Sequence, residues 1–252
     1  VITRSAVLND LHIPWHDPVS VALVLDIIED IGADRIILNG DLLDFYNINA
    51  HGPKHPIVGT LLDDELSRGR MFLNDLRARF KKQEIVFLFG NHEHRLERFI
   101  IKNCKALYDI ISLDKLLGLG QLKIKWYRYN SRYQIEDSNV FVQHSPPSYA
   151  KNGAMVSLER NLDVSTIYGC THREQKAVRN GGSGNKYYCY FNGWLGSTTL
   201  SPEHAEIFSY TKGHENWQQC FSIVTIENRK DAFIEQISIN NQKATYNGYV
   251  YG

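Results

Sequence analysis

Two short apolar runs constrain this chain more than anything else in it. Residues 35–39 (RIILN) and 84–89 (EIVFLF) are almost unbroken in apolar side chains. A strand with one wet face alternates apolar and polar residues, whereas a strand covered on both faces need not. Both runs therefore belong inside a sheet with a layer on either side. Residues 5–9 (SAVLN) read as a further short strand. A helix is expected between 9 and 35, with Asp17 at the N-cap, Pro18 at the first helical position and Gly32 at the stop. Val24, Ile27, Ile28 and Ile31 give it one apolar face. A second helix is expected from about 60 to 80, and a third begins near Glu93. The first half thus reads βαβαβ.

Beyond about residue 120 the pattern changes. Strand-like runs dominate at 122–127, 139–143, 164–168, 186–191, 220–226 and 232–239, with turn signals such as Asn180-Gly181-Gly182 between some of them. The two halves together predict an α/β fold of two packed mixed β-sheets flanked by helices. A length of 252 residues suits one core, so a single domain over 1–252 is expected. The segment 45–59 fits neither period and is expected to be an irregular loop that shapes access to a site.

Charge and cysteine content narrow the function classes. Lysine plus arginine and aspartate plus glutamate are equal at 28 each. That balance argues against a chain whose main task is a non-specific grip on nucleic acid, though a local basic groove is compatible with it. Cys104, Cys170, Cys189 and Cys220 form no CxxC pair and no secreted-type framework, so a reducing, cytoplasmic setting is expected. No apolar stretch is long enough to span a bilayer, and no membrane partner is expected. No signal-peptide pattern is visible, and the sequence begins at Val1, so any leader upstream lies outside this reading.

The chemistry-bearing residues sit where strands end. Residues 5–9 lead into Asp10-Leu11-His12, whose side chains would point the same way in an extended chain. Residues 35–39 lead into Gly40-Asp41-Leu42-Leu43-Asp44, and 84–89 into Gly90-Asn91-His92-Glu93. Later runs end in Gln143-His144 and in Gly169-Cys170-Thr171-His172. Five strand ends each deliver oxygen or nitrogen ligands, at the carboxyl ends where open α/β sheets bind theirs.

This ordered series, DxH, GDxxD, GNHE, H and GxTH, resembles that of the calcineurin-like metallophosphoesterases, and it spans Asp10 to His172. The resemblance implies a four-layer sandwich that binds two adjacent divalent metals. Asp10, His12 and His172 would hold the first, Asn91 and His144 the second, and Asp41 would bridge both. His92 would be the catalytic histidine beside the leaving group, with Asp44 holding its other ring nitrogen. Such a pair of cations neutralises phosphate charge and turns a bridging water into hydroxide. Manganese is the expected metal. Cys170 stands where the family usually has a histidine ligand. As a thiolate it would favour zinc or iron; as a protonated thiol it would weaken the second site.

Other residues carry two readings each. Arg95, one turn after His92, and Arg173, beside His172, are candidate phosphate contacts or ordinary surface charges. His94 is expected to face solvent, and His51 and His55 to lie on a plain loop. Trp194, Trp217 and the tyrosines at 187, 188 and 190 could stack bases but fit core packing better. Asn192 and Ser197 resemble a family element at a longer spacing, so no role is carried over. The chain lacks glycine after His12 and Arg-Gly after Asp44, unlike the protein-phosphatase branch. The reading is a metal-dependent phosphoesterase, a phosphodiesterase or nuclease before a phosphomonoesterase on nucleotides or small metabolites. A non-catalytic metal-binding interaction module is the contrasting class. The partner is a phosphate-ester substrate, nucleic acid among the candidates, with the oligomeric state open.

Overall fold

A computed structural model describes residues 1–48, 61–161, 163–182, 184–197 and 216–252. Most of the predicted loop 45–59, with His51 and His55, lies outside the described residues; its start, Tyr46–Ile48, is a short 3-10 turn.

The first half follows the expected order: β1 (Ile2–Leu8), α1 (Pro18–Asp30), β2 (Arg35–Asn39), α2 (Leu62–Arg79), β3 (Glu84–Leu88) and α3 (Glu93–Asn103). Then come the short α4 (Leu113–Leu116), β4 (Lys125–Tyr127), β5 (Tyr133–Gln134), β6 (Val140–Gln143), α5 (Gly153–Arg160) and β7 (Ser165–Tyr168). The chain continues through β8 (Gln175–Asn180), β9 (Lys186–Phe191), β10 (Gln219–Glu227), β11 (Asp231–Ile239), β12 (Ala244–Tyr246) and β13 (Tyr249–Tyr251).

Among the described residues the strands form two large mixed sheets and a small hairpin. The first sheet has the order β11-β10-β1-β2-β3-β4 and the second β5-β6-β7-β9-β8. β1, β2, β3 and β4 are parallel, and β10 closes against β1 antiparallel. In the second sheet β6, β7 and β9 are parallel, with antiparallel β5 and β8 at the edges.

Alternation along the strands sorts the core into layers. Val7, Ile37, Val86 and Val224 from the first sheet meet Val140, Val142, Ile167 and Tyr190 from the second in one buried cluster. Ala6, Ile36, Ile85 and Phe87 point the other way, onto Val24, Ile27 and Ile28 of α1 and Leu73 and Leu76 of α2. The outer face of the second sheet packs Tyr168, Cys189 and Phe191 against Ala154 and Leu158 of α5. The result is helix, sheet, sheet, helix, which is why 35–39 and 84–89 are apolar on both faces.

Some expected elements shift. The strand predicted at 122–127 is only β4, because Lys123 adopts a left-handed φ of 52° in a turn. β8 (QKAVRN) carries too few apolar residues to announce itself, being an edge strand with mostly wet positions.

Asp17 caps α1 as expected. Its carboxylate accepts from the amides of Val19 at 3.0 Å and Ser20 at 3.2 Å, and also from Gln219 Nε2 of β10 at 3.2 Å. It thus ties the helix end to the first sheet. Asp17→Ala should cost about 1–2 kcal/mol and lower Tm by about 4 °C, while Asp17→Asn should retain most of the cap. Paired thermal melts check this; equal loss in both variants would show that the cap geometry is not what matters.

Candidate metal centre

The centre is built from loops that leave β1, β2 and β3 of the first sheet and β6 and β7 of the second. The backbone turns left-handed just past β1, β2 and β7. Asp10, His12, Asp41, Cys170 and His172 have φ of 55°, 53°, 51°, 66° and 55°. This left-handed region is costly for a residue with a Cβ, and such outliers cluster at functional sites. It also corrects the extended-chain argument for Asp10 and His12. They converge because both turn inward after β1, not because a strand continues.

Among the described residues three groups of ligand-type atoms lie together: Asp10, His12, Asp41 and His172; Asp41, His144 and Cys170; and His12, Asp44 and His92. Asp41 belongs to the first two. His172 Nε2 lies 3.2 Å from Asp10 Oδ1 and 3.1 Å from His12 Nε2. His144 Nε2 lies 3.2 Å from Asp41 Oδ2 and 3.0 Å from Asn91 Oδ1. Cys170 Sγ is 3.0 Å from the same Asn91 oxygen. Asp10, His12, Asp41 and His144 are essentially inaccessible to solvent.

The far ring nitrogens fix the tautomers. His12 Nδ1 donates to Asp44 Oδ2 at 2.9 Å, and His144 Nδ1 donates to the Asn39 carbonyl at 2.7 Å. Each leaves an Nε2 lone pair aimed into the centre, the arrangement seen around metal-binding histidines. At these distances the ring nitrogens and carboxylate oxygens must share either protons or a cation. Carboxylate, imidazole, amide and thiol donors of this kind are chemically suited to divalent metal ions.

Asp44 takes a different place from the one expected. Its carboxylate serves His12, and its backbone carbonyl receives His92 Nδ1 at 2.6 Å. The Asp44 carboxylate stays 3.6 Å from that nitrogen. The turn after β2 presents the main chain, not the side chain, to His92. Arg95 is brought into the centre: its Nη2 donates to His92 Nε2 at 2.7 Å and its Nη1 to the Asp44 carbonyl at 2.9 Å. Arg173 is directed elsewhere, onto the Tyr149 carbonyl at 2.8 Å. His94 is half-buried rather than solvent-facing, stacked on Tyr129 and bonded to Glu97 at 2.8 Å. Trp194 and Trp217 pack on the His172 ring, at centroid distances of 5.3 and 4.4 Å. They form its wall, with Trp15 and Tyr46 in the same cluster.

Residues 3–205 match the family of calcineurin-like phosphoesterases. The chain belongs to that family. No curated protein sequence matches this chain. Its fold is similar to that of the phosphoesterase Yfce from E. coli, at 17% identity and TM-score 0.44, covering 94% of this chain and 100% of that one. It is similar to Vacuolar Protein Sorting 29 from Cryptosporidium parvum, at 13% identity and TM-score 0.48, covering 97% and 95%. A dimetal phosphatase from Danio rerio gives 9% identity and TM-score 0.43, covering 92% and 98%.

Two buried glutamates that sequence reasoning passed over hold the loops of this centre. Glu93 accepts from the amides of Gly90 at 2.7 Å, Asp41 at 2.9 Å and Leu43 at 3.0 Å. It closes the last position of GNHE, so the motif was the available signal. Glu65, on α2, accepts from the Phe45 amide. Nothing in its sequence context marks it. Gly90 has no room for a side chain, since a Cβ would lie 2.1 Å from Asp41 Oδ1. A Cβ on Gly40, at φ +82°, would lie 2.3 Å from His144 Nδ1.

Burial governs the titrations. Asp41 and Asp44 are held below the ordinary carboxylate range: burial opposes their charge, but the surrounding histidines outweigh it. Burial pushes His92 down to about 4, so it is neutral and accepts from Arg95. Burial, aided by the Asp44 charge, raises Glu65 from 4.5 to about 8. Between those two values the folded chain keeps a proton that the unfolded chain has lost. Stability from this group is therefore fully present below about pH 4.5 and falls as pH rises toward 8. The slope is on the order of 1 kcal/mol per pH unit at most. Metal-free Glu65→Gln protein should lose less stability than wild type between about pH 6 and 8, read by chemical denaturation. Parallel curves for the two would remove Glu65 from this account.

Proposed function

We propose that this chain is a two-metal phosphodiesterase whose reaction is centred on Asp41. The observation that carries it is the sharing of the buried Asp41 carboxylate between the Asp10/His12/His172 donors and the His144/Cys170 donors. Asp10, His12, Asp41 and His172 would hold one divalent ion, and Asp41, Asn91, His144 and Cys170 the other. Two such ions, when bound, neutralise phosphate charge and supply a nucleophile from water at neutral pH.

The chain's own residues complete the reaction. Asp44 orients His12, and the Asn39 carbonyl orients His144, so both present Nε2 inward. Arg95 and neutral His92 stand as a donor–acceptor pair beside Asp41, with His92 Nε2 3.7 Å from Asp41 Oδ2. A substrate oxygen entering there would take the Arg95 donor from His92. The guanidinium would then stabilise charge on the departing oxygen, and His92 Nε2, unprotonated at rest, would take up the proton lost by the attacking water and pass it to that oxygen. Glu93 keeps Asp41 and the Asn91 loop in register through three amides. The Trp194 and Trp217 rings shield the His172 side from water.

A diester preference is supported by the sequence of the loops, which lack the Gly after His12 and the Arg-Gly after Asp44. A nuclease activity falls within this reading. Manganese fits the oxygen and nitrogen donors, and zinc or iron the Cys170 thiolate. We further read residues 1–252 as one domain, since β10 and β11 complete the sheet begun by β1. A cytoplasmic setting is supported by four free cysteines. No helix among the described residues is long and apolar enough to cross a membrane.

Bis-p-nitrophenyl phosphate, p-nitrophenyl phosphate and labelled DNA, each with added manganese, form the test. Diester turnover should exceed monoester turnover; monoester turnover alone would overturn the preference. Asp41→Asn should abolish activity, and His92→Ala should lower kcat by about 10²–10⁴. If no ester is cut by wild type while metal still binds, a metal-binding interaction module is the better reading. Metal counting on wild type and Cys170→His should give a fuller second site in the variant. Equal stoichiometry and activity would show that the thiol is an adequate ligand.

A further inference from the structure

The loop between β6 and α5 brings a half-exposed tyrosine to the second donor set. It runs Ser145-Pro146-Pro147-Ser148-Tyr149-Ala150, directly after His144. Two arginines pin its main chain. Arg160 Nη1, from the end of α5, donates to the Pro147 carbonyl at 2.6 Å. Arg173 Nη2, from the turn after β7, donates to the Tyr149 carbonyl at 2.8 Å. The paired prolines restrict the chain that leads into this stretch. Tyr149 is 55% exposed, yet its hydroxyl is placed: Oη lies 3.7 Å from Cys170 Sγ.

The other contact of the sulfur decides which group of this pair donates. A thiol has one hydrogen, and an amide oxygen can only accept. Cys170 directs its hydrogen at Asn91 Oδ1, 3.0 Å away. The sulfur lone pairs are left for the Tyr149 O–H. The Cys170 main chain is fixed from another side, because its amide donates to the Asp10 carboxylate oxygens at 2.9 and 3.1 Å. The sulfur itself lies within 4.8 Å of ligand atoms of Asp41 and His144.

A cation entering this donor set would replace the thiol hydrogen, which leaves to solvent, and would meet the sulfur as a thiolate. The Tyr149 contact is compatible with that exchange, since it uses a different lone pair. A hydrogen bond to a ligand atom from outside the ligand set fixes its direction and its electron density. We propose that Tyr149 is the positioning residue for Cys170 as a ligand of the second cation, with Arg173 holding Tyr149 in place. The proposal rests on the two-metal reading above. It gives Arg173 a task in the centre that involves no contact with phosphate.

The test loads metal-free protein with cobalt(II), a spectroscopic stand-in for zinc. Binding is followed by equilibrium dialysis and by the near-ultraviolet charge-transfer band of a cobalt-bound thiolate. Wild type should take up two ions per chain, one of which develops the band, and Cys170→Ser should lose the band. Tyr149→Phe removes only the hydroxyl. It should weaken the band-forming ion by about tenfold or more. It should also move the band to longer wavelength, because a thiolate without its donor releases charge more easily. The other ion should be bound as before. Tyr149→Ala, which loses ring packing as well, should move the band no further than Tyr149→Phe. Arg173→Ala should weaken the same ion, and Arg173→Lys should recover part of the loss. Two ions in wild type with no thiolate band would overturn the proposal and leave the two-metal reading standing. Unchanged affinity and band position in Tyr149→Phe would overturn it too, as would equal weakening of both ions. Fewer than two ions in wild type would sink the two-metal reading itself, and the proposal with it.

Discussion

The Asp41 carboxylate is the point on which the two sheets are hinged together chemically. It projects from the loop after β2, yet its neighbours come from both sheets: His12 and His92 from the first, His144 and the Cys170 turn from the second. Burying such an anion is expensive unless it is compensated. Here compensation comes from the His92 amide at 2.9 Å and from the surrounding imidazoles. The space that lets the His92 loop come so close exists because residue 90 has no side chain.

Around that anion the fold spends several buried acids on geometry. Glu93 and Glu65 touch no candidate metal donor through their own oxygens in the described contacts; they grip main-chain amides of the loops that carry the donors. Asp44 works through both its side chain and its carbonyl, one for His12 and the other for His92. Left-handed residues at the strand ends are tolerable only because these grips over-determine the loops.

Much of this was legible in the sequence because the donors sit at strand ends and strand ends are marked by the loss of apolar runs. The layered α/β architecture followed from the double-sided apolar character of 35–39 and 84–89. Edge elements such as β5 and β8 were not legible, since a mostly wet strand has no distinctive pattern. Nor was the role of Glu65. It lies far from the motifs in sequence, and its burial arises from how α2 folds over the turn after β2. The exchange of side chain for carbonyl at Asp44 depends on the φ of 54° at Phe45 and the turn around it, which residue types alone do not specify.

The division of donors between the two sheets has a consequence for assembly. Residues up to 91 supply only part of each candidate donor set that includes Asp41, and residues from 144 onward supply the rest. Each of these donor sets is complete only when both sheets are in place. Any metal affinity of this centre would thereby be linked to the docking of one sheet on the other, and an ion captured late in folding would act as a rivet through the sandwich.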